Sequence, residues 1–189
     1  HCRDPSSEER TQVLLIDISR AYFNALTDPS EPVYVQLPPE AGLGPHMCGL
    51  LRRHMYSTRR AAEGWQDEHS GTLISMGFLQ GRASACVFNH PTRNVAVSVH
   101  GDDFTATGPK CELDCFEAEM KTRYELTVGG RLGPEPDDCK EASVLNRIIR
   151  WTDKGIEYEA DPRQVDRFLE ELELEGEGVK GVVTPGIRQ

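Results

Sequence analysis

The stretch NVAVSVHGDDFTATG, Asn94 to Gly108, constrains the fold more than any other part of the chain. Val95, Val97 and Val99 alternate with small or polar residues, and Phe104 and Ala106 resume the alternation after a break. That period of two belongs to a half-buried β-strand, so two strands are expected with a tight turn at Gly101 between them. The turn carries Asp102 and Asp103 side by side. Adjacent like charges at a strand tip gain nothing structurally, whereas a bound cation would remove the conflict. The bland alternative is a solvated Asp-Asp turn.

A third carboxylate stands at Asp17, where the apolar run QVLLID ends. This run reads as a buried strand over Gln12–Asp17. If it lies beside the hairpin in one sheet, three carboxylates converge. Hard divalent cations such as Mg2+ or Mn2+ take oxygen ligands and keep waters and substrate phosphates. Two such ions about 3.5–4 Å apart serve phosphoryl or nucleotidyl transfer.

The rest of the pattern gives an order of elements. VYVQLPPE reads as a short edge strand stopped by Pro38 and Pro39. Cys48 to Met76 favours helix, with Gly64 an interior blemish, and carries the most basic cluster: Arg52, Arg53, Arg59 and Arg60. Ser84–Asn89 is expected as a strand, followed by a turn around His90–Asn94. Cys111–Arg123 is an amphipathic helix, with Leu113, Phe116 and Met120 on one face. YELTV is strand-like, and GGRLGPEPDD is an acidic Gly/Pro-rich loop. SVLNRIIRW and GIEYEA read as two strands joined around Thr152–Gly155. Asp161–Glu175 is expected as a helix capped by Asp161, with Pro162 at its first position. The fold class is therefore α+β, an antiparallel sheet with helices on one face. The domain reading is a loose segment over 1–11, a main sheet domain over 12–128, a smaller unit over 129–175 and a connecting tail over 176–189.

Composition excludes some functions. There are 21 Lys plus Arg against 31 Asp plus Glu, a net charge of −10. That opposes a broad non-specific nucleic-acid surface, although a local basic groove is compatible with it. No apolar run approaches the ~18 residues of a membrane span. The chain opens on His1 without a basic-then-apolar leader and is expected to be a portion of a longer polypeptide. The six cysteines form no CxxC pair, so His46 and Cys48 are weak zinc candidates, and reduced thiols are the better reading.

Read together, these motifs resemble the reverse transcriptases of Ty1/copia-type retrotransposons, from about Val13 to Pro185. LLIDISRAYFNA resembles the first polymerase motif. VYVQLPPE resembles the family's stretch ending in two prolines. MCGLLRRHMYSTRRAAEGW is similar to the family segment ending in Trp, matched at Cys48, Leu50, Tyr56, Ala61 and Trp65. LISMGFLQGRASACVFNH resembles its Leu-x-x-x-Gly-Phe run, and VHGDDFTATG occupies the place of the Tyr-x-Asp-Asp hairpin. YELTVGGRLG, the segment from Val144 to Leu174, and VVTPG follow in the family's order.

The resemblance implies a polymerase palm with the start of a thumb and with fingers largely missing. It implies an RNA-directed DNA polymerase within a Pol polyprotein, working with Mg2+ or Mn2+ on deoxynucleoside triphosphates and an RNA/DNA template-primer. The remainder of the polyprotein, with fingers and RNase H, would be a partner. Its place would be intracellular, in a cytoplasmic particle or the nucleus, with no membrane association. Asp17, Asp102 and Asp103 would be the catalytic metal ligands, joined by the Ile18 carbonyl. Tyr22 would sit under the incoming sugar and exclude a 2′-hydroxyl, Arg60 would lie near the nucleotide, and Arg52, Arg53 and Arg59 would meet template phosphates. The chain departs from the family at His100, where the hairpin Tyr is usual, at STRRAA in place of the Gln- and Pro-bearing core, and at Thr127 in place of a Lys. Two other readings compete. LLIDISRAYFNALTD and HGDDF also resemble GGDEF-type nucleotide cyclases, although the 85 residues from Asp17 to Asp102 (102 − 17) exceed that family's interval. A catalytically decayed palm fragment would bind metal without turnover.

Overall fold

A computed structural model of the chain describes residues 11–44, 46–160, 162–172 and 174. Of the loose segment expected over 1–11, only Thr11 is described, and it is corrected to the first residue of a strand; the remainder, the Asp161 cap and the tail over 176–189 lie outside the described residues. The chain divides into two compact units, His1–Cys139 and Lys140–Gln189.

The first unit is built on a six-stranded antiparallel sheet. Its first strand, β1 (Thr11–Ile18), is the apolar run, and Gln12 to Ile16 are all buried. One turn of 3-10 helix follows at Ala21–Asn24. Two short strands, β2 (Tyr34–Gln36) and β3 (Cys48–Leu50), pair only with each other. Then come α1 (Ala61–Ser75), β4 (Leu79–Gln80), β5 (Val87–Asn89), β6 (Ala96–His100), β7 (Asp103–Pro109), α2 (Lys110–Lys121) and β8 (Leu126–Leu132). The strand order is β4-β5-β6-β7-β1-β8, with β1 between β7 and β8.

Alternation along the strands decides what each face does. Leu14, Ile16 and Ile18 join Phe104, Ala106, Val97 and Val99 in one buried cluster. Trp65 and Leu73 of α1 and Leu113, Phe116 and Met120 of α2 pack into the same cluster. Both helices therefore cover one face of the sheet, as the period of three and four in α2 requires. Asp17 has the parity of Val13 and Leu15, so it points to the opposite face. Gln12 shares the parity of Leu14 and Ile16 and is buried (1% exposed); it donates from Nε2 to both oxygens of Asp138, at 2.9 and 2.8 Å.

Several local expectations are corrected. The helix expected over Cys48–Met76 is helical only from Ala61 to Ser75. Cys48–Leu50 instead pairs with Tyr34–Gln36, and Ser57 adopts a left-handed φ of 66° that helix excludes. The arginines from Arg52 to Arg60 consequently precede α1 and do not line a helix face. The strand expected at Ser84–Asn89 is confined to Val87–Asn89, with a further short strand at Leu79–Gln80. The loop expected from Gly129 is strand as far as Leu132, because β1 offers it a hydrogen-bonded partner, with a bulge opposite Leu15/Ile16.

The second unit is a three-stranded antiparallel sheet in the order β11-β10-β9, from β9 (Glu141–Val144), β10 (Arg147–Thr152) and β11 (Gly155–Ala160), followed by α3 (Pro162–Glu171). SVLNRIIRW is not one strand but a hairpin. Val144 pairs with Arg147, and Leu145 and Asn146 both have positive φ (50° and 59°), the two-residue turn whose twist matches its strands. Arg150 bridges the sheet through ion pairs to Glu141 and Glu159. No helix among the described residues is long and apolar enough to cross a membrane.

Candidate active site

The site grows from the register of three strands. In the β1–β7 ladder Asp17 is the direct partner of Asp103. In the β6–β7 ladder His100 is the partner of Asp103, which leaves Gly101 and Asp102 as the turn. Gly101 takes φ 64°, a conformation that costs a glycine little and most other residues more. The Ile18 N–H donates to the Asp102 carbonyl at 2.9 Å, so the turn is fastened to the end of β1. The structure thus brings Asp17, Asp102 and Asp103 together at one end of adjacent central strands. Cross-strand partners project to the same face, so the Asp17 and Asp103 carboxylates share the face away from the helices.

Electrostatics record the conflict. Burial, then the neighbouring charges of Asp102 and Asp17, push the Asp103 carboxyl above the usual carboxylate range, with His100 opposing. Like charges placed directly opposite each other across a ladder are destabilising. Asp17 itself is exposed and faces solvent.

Two aromatic side chains complete the surroundings. Tyr22 is half-buried against the core and meets Tyr56 edge-on, with ring centroids 4.5 Å apart. Phe23 touches the same Tyr56 ring at 5.8 Å. Burial and the charges of Asp102 and Asp17 hold the Tyr56 phenol above its ordinary range, while a backbone hydrogen bond from Ala21 works against them. Tyr22 and Tyr56 are therefore neighbours of the carboxylates.

Behind the turn, the buried Trp65 (2% exposed) donates its indole N–H to the Gly101 carbonyl at 2.7 Å. This bond ties the floor of α1 to the Asp-Asp turn. Sequence reasoning matched Trp65 by resemblance but missed this role. The spacing Trp65, His69, Leu73 places all three on one helical face, which was the available signal.

The basic residues are distributed differently from the carboxylates. Arg60 pairs with Glu31 at 2.5 Å and with Glu63 at 3.1 Å. Arg53 donates to the carbonyls of Asn24 at 2.7 Å and Phe23 at 3.3 Å, clasping the 3-10 turn that carries Tyr22. Arg52 and Arg59 are exposed and make no ion pair among the described residues. Arg59 and Arg60 line a cleft of about 850 Å3 that does not include Asp17, Asp102 or Asp103.

The donor set suits a hard divalent cation. Among the described residues no three His, Cys, Asp or Glu side chains form a ready-made metal cluster. Mg2+ does not need one, since it commonly takes one or two carboxylates and completes its octahedron with waters and substrate phosphates. The Asp17–Asp103 pair has the carboxylate oxygens that such a partial site would use. The side chain of Ile18 is buried and its N–H is already engaged, so its carbonyl is the group left to consider as a ligand.

No protein-family model matches the chain, and no curated protein matches its sequence.

Proposed function

We propose that the chain is a palm-type nucleotidyl-transfer domain, the reverse transcriptase domain of a copia-like element, with Asp17, Asp102 and Asp103 as its metal-binding carboxylates. The observation that carries this reading is the direct opposition of Asp17 and Asp103 across β1 and β7, with Asp102 in the adjoining turn. The ordered motifs of the resemblance add to it. A divalent cation held here would lower the pKa of an attacking hydroxyl and offset charge on the leaving pyrophosphate.

The chain's own residues have separate tasks. Asp17 and Asp103 hold charge opposite the site of attack, and the Ile18 carbonyl adds a neutral oxygen. Trp65 fixes the turn through Gly101. Tyr22, braced by Tyr56, presents a flat wall where a sugar would lie. Arg59 and Arg52 remain available for phosphates, whereas Arg60 and Arg53 are engaged within the fold.

The test is primer extension on a primed homopolymer RNA with Mg2+ or Mn2+. Extension by this chain is expected to be weak, because nothing in its charge balance of −10 favours an anionic duplex. What extension occurs is expected to vanish in Asp103→Asn. In a form extended upstream, Tyr22→Val is expected to raise ribonucleotide incorporation. Extension that survives Asp103→Asn would refute the assignment. A cyclic dinucleotide formed from GTP would replace it with the cyclase reading, and metal binding without extension in either form would replace it with the decayed palm.

A further inference from the structure

The cleft of about 850 Å3 beside α1 is separate from the carboxylate site and has its own chemistry. One wall is the segment from Leu26 to Val35, and the other is the start of α1. Five carboxylates line it: Asp28, Glu31, Glu63, Asp67 and Glu68. Two guanidiniums, Arg59 and Arg60, oppose them, so the lining carries 2 − 5 = −3. Arg60 is already shared between Glu31 and Glu63. Asp67 makes no ion pair or hydrogen bond among the described residues, and Glu68 receives only a long bond from the Tyr124 hydroxyl, at 3.4 Å. Asp28 accepts only from Ser30 and also lacks an ion pair among the described residues, so the excess negative charge is shared among Asp28, Asp67 and Glu68, the last two adjacent on α1.

A second observation is independent of the charge. His54 lines the same cleft and is only 8% exposed. Its imidazole packs against Gly64, where an added Cβ would come within 2.3 Å of the ring, so any side chain there would force the ring to shift. Its ring nitrogens have no hydrogen-bond partner among the described residues. Neither nitrogen is sealed from solvent, and the ring borders the cleft, so a ligand's donor can reach it. The cleft also offers apolar and aromatic surface: Tyr34 is 61% exposed and Leu26 68% exposed.

We propose that this cleft binds an organic cation, a guanidinium or ammonium on an apolar stem. The head would lie between Asp67 and Glu68 and donate to a ring nitrogen of His54, and the stem would pack on Leu26 and Tyr34. A cation over the exposed Tyr34 ring adds attraction through the ring's quadrupole. Such a group reaches the cleft either as a free amine or as the side chain of a basic peptide.

The experiment is a two-dimensional amide NMR titration of the full chain with agmatine and, separately, with an acetylated Gly-Arg-Gly amide, each to about 20 mM, a range that detects millimolar affinity. Shifts are expected to centre on residues 26–35, 54 and 58–68. Agmatine acting alone marks a free amine as the ligand, and the peptide acting alone marks a basic chain. Either result supports the proposal. The double variant Asp67→Asn with Glu68→Gln is expected to weaken binding about threefold to tenfold, in line with two solvent-facing charge contacts. His54→Leu is expected to weaken it as well, and His54→Gln to retain part of it. The charge variants alter exposed or half-exposed positions, so they decide the matter if His54→Leu fails to fold. Asp17→Asn is expected to bind as the unaltered chain does, which separates this site from the carboxylate centre. The proposal is overturned if neither probe shifts these resonances, if an otherwise identical peptide with uncharged citrulline in place of arginine binds as well, if the double variant binds unchanged, or if inorganic phosphate moves the same resonances instead.

Discussion

Acid should loosen the first unit through one buried side chain, His69. It is 5% exposed and surrounded by the rings of Trp65, Phe104 and Phe88, with centroids at 5.3, 5.7 and 6.2 Å. Its Nδ1 is buried without a partner. Burial pushes its pKa down to about 4, with Asp67 opposing weakly, against an ordinary value of 6.5. The folded state therefore keeps the ring neutral while the unfolded chain takes up a proton below about pH 6.5. Because the folded pKa is the lower one, the unfolded state binds more protons between the two values, and stability falls as pH falls. Integrating that difference from about pH 7 to about pH 5 gives a loss of about 2 kcal/mol from this group. Continuing below about pH 4 brings the loss to roughly 3 kcal/mol. Urea unfolding across this pH range, followed by Trp fluorescence, measures it. Other carboxylates and histidines titrate as well, so the informative quantity is the difference from His69→Leu, which has a similar volume and does not titrate. The curve of the variant should be flatter than that of the unaltered chain by about 2 kcal/mol between those two pH values. Parallel curves would refute the reasoning and place His69 in a site that water reaches.

Two further outcomes concern the platform under the carboxylates. Trp65→Phe removes the donor to the Gly101 carbonyl together with part of a buried ring, and is expected to cost about 2 kcal/mol in chemical denaturation. It should also raise amide exchange at Asp102 and Asp103 before it affects α2. Asp103→Asn removes a carboxylate held above its usual range by like charges, so without metal it should stabilise the chain, by about 0.5 kcal/mol near neutral pH. Since the folded pKa is the raised one, that advantage should shrink as pH falls through it. A destabilised Asp103→Asn near neutral pH would mean that the like charges are not in conflict.

Much of the carboxylate site was legible because it rests on local pattern. The valine alternation gave β6 and β7, Gly101 gave the turn, and the apolar run ending at Asp17 gave β1. What the pattern could not supply was register. That Asp17 faces Asp103, and not one of its neighbours, depends on pairing between strands far apart in sequence. The Trp65 bond to Gly101 spans 36 residues and has no local signature. The stretch before α1 misled for a definite reason: Leu51, Arg52, Arg53 and Met55 are good helix formers, but β2 needed a partner and Cys48–Leu50 met it. Leu145–Asn146 was missed because a two-residue turn with positive φ usually advertises itself with Gly, and Leu does not. The resemblance puts Arg60 near a nucleotide, yet Glu31, which holds it, lies 29 residues away in a loop and has no local signature.

The proposed function requires Asp17, Asp102 and Asp103 to attract a divalent cation jointly. Paramagnetic broadening of amide resonances by sub-stoichiometric Mn2+ tests it most directly, because it reports where on an acidic chain the ion dwells. Broadening is expected to concentrate at Ile18 and at Gly101 to Phe104, and to be strongly reduced in Asp17→Asn and in Asp103→Asn. Broadening centred elsewhere, for example on Glu112 to Glu119 of α2, and unchanged by both substitutions, would contradict it.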